Sequence, residues 1–525
     1  MKQPAIAIIG AGHNGLTCAC YLAQAGFKNI FIFERRDIVG GAAVTEEFYC
    51  DANGAFRNST ASYTVGLFPK KIQKDLNLKQ HGLKIIPRTM SNFLPLDNDY
   101  LSFGGKLDDR FEIAKFSKKD AIAYNEYMAM LERVAGVFRQ FMWDTPPTTK
   151  GLRNAFQFLK LSGRLNKLDV EHQREIIDLF TKSAVEIVDR YFESDPIKAV
   201  MCWDSIVGNY VSPYDKGTAY VQLHHVFGES THGWGHAVGG MGSITQAMLR
   251  EAESYGIDVR TGQEVTEVVV RNGVVKGIRI GTRKMFIPFE VVIGNCHPKT
   301  LYIDLIGDSH LEDDFVDRIK AYRSGSATFR VNVALDDLPI FKCHPESGDH
   351  LGAGILMMPS IKYMDKAYLD ARTRGYSRFP AVEMLIPSVL DPTLAPYGKH
   401  VASLFCQHFD PNIEGRWNEI QVENAVNNIF RVCKQHITNW SDIVLGYDAL
   451  SPTELERRIG LIGGDIFHGC LTFDQMYSNR PMLGYGNYRG PIKGLYMCGS
   501  GTHPGGGVTG IPGHNAAREI IKDQR

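Results

Sequence analysis

Gly10, Gly12 and Gly15 stand at GxGxxG spacing in the run Gly10-Ala11-Gly12-His13-Asn14-Gly15, and an acid, Glu34, follows 19 residues after the last of them. That pattern is suited to holding a dinucleotide. Gly10 permits a tight turn, Gly12 lets main chain approach a pyrophosphate, Gly15 lets a helix lie close on a strand, and the carboxylate of Glu34 can accept from ribose hydroxyls. A second glycine-rich stretch carries seven glycines between residues 499 and 513. Glycine in such number is entropically costly for a mere loop, but it makes sense where amides and a helix N-terminus are aimed at phosphate or at a flat ring. Two histidines are the candidate catalytic side chains: His503, inside that stretch, and His468, in Gly463-Gly464-Asp465-Ile466-Phe467-His468-Gly469. Each could relay a proton or line a substrate pocket; the other readings are a ring tied into the turn before Pro504 and a structural loop around His468.

The elements that must position these residues are legible as periodicities. Residues 5–9 form a short apolar, β-branched run, 16–25 read as a helix and 29–33 as a second buried strand ending at Glu34, which completes a βαβ unit. Farther on, 244–255 read as a helix and 256–259 as a strand. Residues 264–270 and 274–280 read as a hairpin, because Asn272-Gly273 accepts positive φ. A buried strand is expected at 291–296, another at 494–499, and a closing helix at 511–521.

Composition narrows the class. Lys plus Arg and Asp plus Glu each total 58, which removes the basic excess a nucleic-acid binder needs. Hydrophobic residues make up 44% of the 525, an ordinary globular share. The ten cysteines form no CxxC pair, so a redox-active dithiol is not expected and a reduced compartment fits best. Cys18, Cys20, Cys296 and Cys498 read as small buried hydrophobes. No metal site is expected: His232 and His236 are four apart, but in a run too glycine-rich for a helix with two ligands on one face. The N-terminus lacks the form of a signal peptide, and no stretch reads as a membrane span.

Just past the ribose acid, Glu34-Arg35-Arg36-Asp37-Ile38-Val39-Gly40-Gly41-Ala42 carries a glycine doublet, and here the sequence resembles the FAD-binding amine oxidase and phytoene desaturase superfamily. The resemblance implies FAD rather than NAD. It also implies cofactor contacts from Gly10, Gly12, His13, Asn14, Gly15, Glu34, Arg35, Gly40, Gly41 and Ala42, and from Val265 beside the adenine. Asn295 after the strand at 291–296 joins them, as do Gly499, Ser500, Val508 and Thr509 over the isoalloxazine end. Further stretches, at 220–228, 233–242 and 463–476, look most like the branch named for a pyridine nucleotide-disulfide oxidoreductase domain, with mitochondrial animal members and many bacterial relatives. The resemblance covers nearly the whole chain. Contrary to that name, no paired cysteines occur and no second GxGxxG set in a βαβ unit offers a nicotinamide site.

The expected fold is α/β, with a discontinuous Rossmann-type FAD domain over 1–70, 230–300 and 465–525 and a mixed-sheet substrate domain over 71–229 and 301–464. Residues 148–168 carry five basic and no acidic residues in an amphipathic pattern; they read as a lid or membrane-facing segment, or as a helix with a solvated basic face. His224 and His225 read as core histidines. The leading function implied is hydride abstraction from a small lipophilic substrate, with desaturation or isomerisation. Oxygen, a quinone or a protein would take the electrons, and a homo-oligomer is compatible. A flavin amine or amino-acid oxidase is the alternative, and a non-catalytic FAD-containing interaction protein the alternative of another class. The implied location is cytoplasmic in a bacterium, with or without peripheral membrane contact.

Overall fold

Short apolar runs and glycine turns resolve into two main sheets, of five and seven strands, with three smaller ones among the described residues. The computed structural model describes residues 3–148, 163, 166, 168–228 and 234–525. The expected lid segment at 148–168 lies almost wholly outside the described residues, as do His232 and Gly233.

The first sheet has five parallel strands in the order Leu495–Met497, Val291–Gly294, Ile6–Ile9, Ile30–Phe33, Asp258–Arg260. Its central strand, Ile6–Ile9, is buried throughout, which is why it reads as a continuous apolar run rather than an alternating one. Helix His13–Gln24 packs between helices Gly242–Ser254 and Ile511–Gln524. This is the Rossmann-type unit the glycine spacing predicts, and the α/β class holds.

The boundaries differ where glycine does the positioning. The first helix begins three residues before the expected 16, because Gly12 is its N-cap (φ −74°, ψ 170°) and Gly15 lies inside its first turn. A Cβ on Gly15 would stand 2.3 Å from the Gly10 carbonyl oxygen, so only glycine lets the helix approach the loop this closely. Gly256, expected in a strand, adopts φ +74° and turns the chain out of the preceding helix; the strand starts at Asp258. The hairpin forms as expected, Val265–Arg271 against Val274–Ile280, with Asn272 and Gly273 at φ 51° and 70°. A third strand, Met285–Pro288, was not apparent from its pattern.

The second sheet has seven strands, in the order Val444–Leu450, Phe329–Leu335, His400–Phe409, Tyr376–Leu385, Gly354–Met357, Asn92–Pro95, Tyr100–Phe103. All neighbours pair antiparallel except Gly354–Met357 with Asn92–Pro95, so the sheet is mixed, as expected. Helices Ile361–Arg374 and Glu419–His436 pack on strand Tyr376–Leu385. Helices Asp195–Ile206 and Thr218–His225 pack on each other beside the strands that face the first sheet. No helix among the described residues is long and apolar enough to cross a membrane.

Candidate functional site

The carboxyl ends of the parallel strands open into a cavity of about 960 Å³, where ligands bind in open α/β sheets. At one end the two glycine loops meet. Gly40 donates its N–H to the Ala11 carbonyl (3.0 Å), and Gly12 bridges to Gly40. Gly10 and Gly40 adopt φ +100° and +135°. Asn295, just past its strand, donates Nδ2–H to the Gly10 carbonyl (3.0 Å) and so locks the loop to the sheet. The Glu34 carboxylate accepts from the main-chain N–H groups of Ala11 (2.9 Å) and Arg36 (3.0 Å), which holds it at the strand tip, facing the cavity.

The first helix has no side-chain cap and no acid in its first turn, which leaves its N–H groups and the positive end of its dipole for an anion. His13 Nε2 and Asn14 Oδ1 are buried without partners, and both residues line the cavity. Burial pushes the His13 ring down to about 4, with a contact from the Gly507 main chain opposing. Orphaned polar atoms and a cradle that side chains would fill fit the phosphates of a dinucleotide.

The C-terminal glycine stretch closes the other side of this end. Ser500 Oγ accepts from Asn14 Nδ2 (3.3 Å), and Ser500, Gly507 and Val508 line the cavity. Two residues hold the loop beneath them. Asp465, expected only as part of a loop, accepts from the N–H groups of Phe467 (2.8 Å), Gly469 (2.9 Å) and Gly325 (3.0 Å). Arg480, which no sequence motif singled out, is completely buried and donates to the carbonyls of Phe467 (2.6 Å), Ser500 (2.9 Å) and Gln475 (3.1 Å).

The two candidate catalytic histidines part company. His503 does not line the cavity. Its Nε2 bonds the Phe141 carbonyl (2.8 Å), its ring stands edge-on to Tyr477, and burial pushes it down to about 4. His503, offered by the sequence as facing the flavin or substrate, thus lies off the cavity wall with its ring bonded to the Phe141 carbonyl. His468 does line the cavity, at φ 56°, with its carbonyl accepting from the Tyr322 hydroxyl (3.0 Å). Burial first, then the charge of Arg480 and of His13, lowers its ring to about 4.

Of the expected cofactor contacts, Gly10, Gly12, His13, Asn14, Glu34, Arg35, Gly41, Ala42, Val265, Asn295, Ser500 and Val508 line the cavity. Gly15, Gly40, Gly499 and Thr509 do not. They act from behind it, since a Cβ on Gly40 would stand 2.6 Å from the Ala43 carbonyl oxygen and one on Gly499 3.0 Å from that of Asn295, while Thr509 Oγ1 accepts from the Ile511 N–H (3.1 Å).

The same cavity includes a chamber with aromatic walls, Tyr63, Trp203, Trp234 and Phe405. It is not wholly apolar. Tyr63 donates its hydroxyl to Glu383 Oε2 (2.5 Å), Arg88 lies 3.8 Å from Glu383 Oε1 and donates to Thr64 Oγ1 (2.8 Å), and Arg330 stacks 4.5 Å from the Tyr63 ring. Burial raises the Glu383 carboxyl, with Arg88 and the Tyr63 bond opposing. Asp204 and His225 face the chamber from the two packed helices. The core reading of His225 is corrected: its Nδ1 bonds the Val221 carbonyl (2.8 Å) and the ring lines the cavity, whereas His224 is buried as expected but with both ring nitrogens unpartnered. The sequence signal that could have found the chamber is the spacing Val200, Trp203, Asp204, Val207, one helix face with an acid set among apolar residues.

The ten cysteines are all free, with Cys18, Cys20 and Cys498 buried and Cys296 partly so. His236 Nε2 bonds Asp391 Oδ2 (3.1 Å) from a short strand, Gly235–Ala237, rather than a loop.

Residues 8–71 match the model of an NAD(P)-binding Rossmann-like domain. The chain is 35% identical to pyridine nucleotide-disulfide oxidoreductase domain-containing protein 2 of Rattus norvegicus, over 98% of this chain and 93% of that protein. It is 24% identical to a limonene dehydrogenase component of Castellaniella defragrans, over 100% and 95%. To the 4,4'-diapophytoene desaturase of a Methylomonas species it is 22% identical, over 96% and 92%. Among solved structures it resembles an oxidoreductase from Methanosarcina mazei (TM-score 0.60, 16% identity, 99% and 100% covered). It likewise resembles putrescine oxidase with bound putrescine (TM-score 0.58, 14% identity, 99% of each chain), which establishes the shared fold.

Proposed function

The chain belongs to the family of pyridine nucleotide-disulfide oxidoreductase domain-containing protein 2, and from that premise we propose that it is an FAD-dependent oxidoreductase. In this reading it abstracts hydride from a C–H bond of a largely lipophilic substrate, with desaturation or isomerisation. The observation that carries the reading is the continuity of the cavity: one space is lined by the glycine loops, by Ser500 and Val508, and by the aromatic chamber residues.

Bound FAD would supply the hydride acceptor. The chain's own residues do the rest. Gly10, Gly12 and the first helix would hold the pyrophosphate, Glu34 the ribose, and Val265 and Arg35 the adenosine end. Trp203, Trp234 and Phe405 exclude water around the reacting carbon and orient an apolar body. Asp204, His225 and His468 are among the titratable residues in the cavity that could receive a proton released beside the reacting carbon. With one βαβ unit carrying GxGxxG in the sequence, electrons would leave to oxygen, a quinone or a protein.

A flavin amine oxidase is favoured by one feature, aromatic walls with a carboxylate among them. An anaerobic visible spectrum of the purified protein, titrated with a lipophilic polyene and separately with amines, tests both. Bleaching of a flavin band by the polyene supports the first reading, and bleaching by an amine the second. A protein that purifies without flavin overturns both. A band that nothing bleaches turns the reading toward a chain that keeps FAD as a structural element.

A further inference from the structure

Asp204 and His225 are the chamber groups whose hydrogen-bonding capacity the fold leaves open. Asp204 projects from helix Asp195–Ile206 on the face it shares with Val200, Trp203 and Val207, and it makes no hydrogen bond to a described residue. His225 is fixed by its Nδ1 to the Val221 carbonyl, which can only accept, so Nδ1 carries a hydrogen and Nε2 is the ring nitrogen left for a ligand. Both residues line the cavity. Glu383 differs: one of its oxygens already takes the Tyr63 hydroxyl, and Arg88 lies near the other.

A carboxyl and an uncommitted ring nitrogen in one chamber suit a ligand group that can both donate and accept, and the surrounding charge selects its kind. Arg88 faces both Asp204 and Glu383, and Arg330 lies behind Tyr63 with Nε and Nη1 unpartnered. Two guanidiniums and two carboxyls already stand against each other. An ammonium would enter the field of both guanidiniums, and a carboxylate would meet both carboxyls. We infer that Asp204 and the Nε2 of His225 anchor a neutral hydroxyl group on a ligand whose apolar body lies against Trp203, Trp234 and Phe405. The inference deepens the functional reading above and rests on it for what lies at the other end of the cavity.

The test uses the purified full chain and four probes of equal length: decanol, decane, decylamine and decanoate. Binding is read from tryptophan fluorescence, since Trp203 and Trp234 line the chamber, and from perturbation of the visible flavin band. The expected result is a Kd for decanol about tenfold below those of the other three. Asp204→Ala and His225→Phe should each raise the decanol Kd about fivefold or more and leave that of decane unchanged. Equal affinity for decane, tighter binding of decylamine or decanoate, or a folded variant with unaltered decanol affinity overturns the inference. If a variant fails to fold, the ranking of the four probes on the native chain decides. A preparation without a flavin band that still prefers decanol by fluorescence overturns the FAD reading and leaves this one standing; a flavin band with no such preference does the reverse.

Discussion

Arg480 shows how one side chain can organise a binding loop without touching what the loop binds. Its guanidinium is wholly buried and spends its hydrogens on main-chain carbonyls of the 467–475 loop and of Ser500. The fork shape matters, because a lysine ammonium cannot span acceptors on two segments. Arg480→Met leaves those carbonyls orphaned, so we expect a loss of roughly 3 kcal/mol or more, read by denaturant unfolding, together with lower flavin content. Arg480→Lys should restore little of either; full recovery by lysine would mean the charge alone mattered. The two histidines give the contrasting case. His503→Gln should cost about 1 kcal/mol and leave the flavin spectrum unchanged, because its ring serves the Phe141 carbonyl. His468→Ala should shift that spectrum, because His468 lines the cavity. A shift with His503→Gln as large as with His468→Ala would overturn this assignment.

Among the elements, the first strand and helix are tied together by absent side chains. A Cβ on Gly15 would lie 2.3 Å from the Gly10 carbonyl oxygen, and backbone cannot step aside. A Cβ on Gly12 would press on the end of the Asn295 side chain, at 3.1 Å, and meet the Gly40 and Gly41 backbone only at ordinary contact, 3.9 and 4.0 Å. The two glycines of one motif therefore fail differently. Gly15→Ala should prevent stable folding, lowering the melting temperature sharply or yielding insoluble chain. Gly12→Ala should fold and lose affinity for the dinucleotide, and Gly12→Val should purify colourless. The comparison needs only soluble yield, a melting curve and flavin stoichiometry, and equal behaviour of the two alanine variants would refute the packing argument. The hairpin Val265–Arg271 and Val274–Ile280 was legible because its turn chemistry is local. The strand Met285–Pro288 was not, because it is largely exposed and is defined by its neighbour rather than by its own alternation.

Across the molecule as a unit, burial of neutral histidines sets a pH response. Burial holds His13, His468, His503 and His436 down to about 4, and His224 and His408 to about 3, against 6.5 when free. Below pH 6.5 the unfolded chain binds protons that the folded chain refuses, so the stabilisation present above 6.5 is lost as pH falls toward 4 and below. The buried carboxyls of Asp204, Glu383 and Asp465 are raised by burial and act in the opposite sense, but they are fewer. The melting temperature should fall progressively from pH 7 to pH 5. A flat or rising profile over that range would show that these rings are solvated in the native state.

Residue order alone was enough to read the dinucleotide end of the protein. Glycine spacing, the acid at the strand tip and the turn at Asn272-Gly273 each act over a few residues, where backbone sterics leave few choices. The same holds for the glycine doublet at 40–41, and the parallel order of the strands follows from the crossover helices. The chamber, by contrast, exists only once the chain is folded. Tyr63, Arg88, Asp204, His225, Glu383 and Phe405 come from separate segments of the chain and share no spacing, and each is individually compatible with an ordinary core or surface position. Packing of the mixed sheet against the helices Asp195–Ile206 and Thr218–His225 brings them to one wall, and the same packing turns His503 away from the cavity and His225 into it. Which way a side chain faces depends on elements far away in the chain, and apart from the helix face of Val200, Trp203, Asp204 and Val207 no local pattern records them.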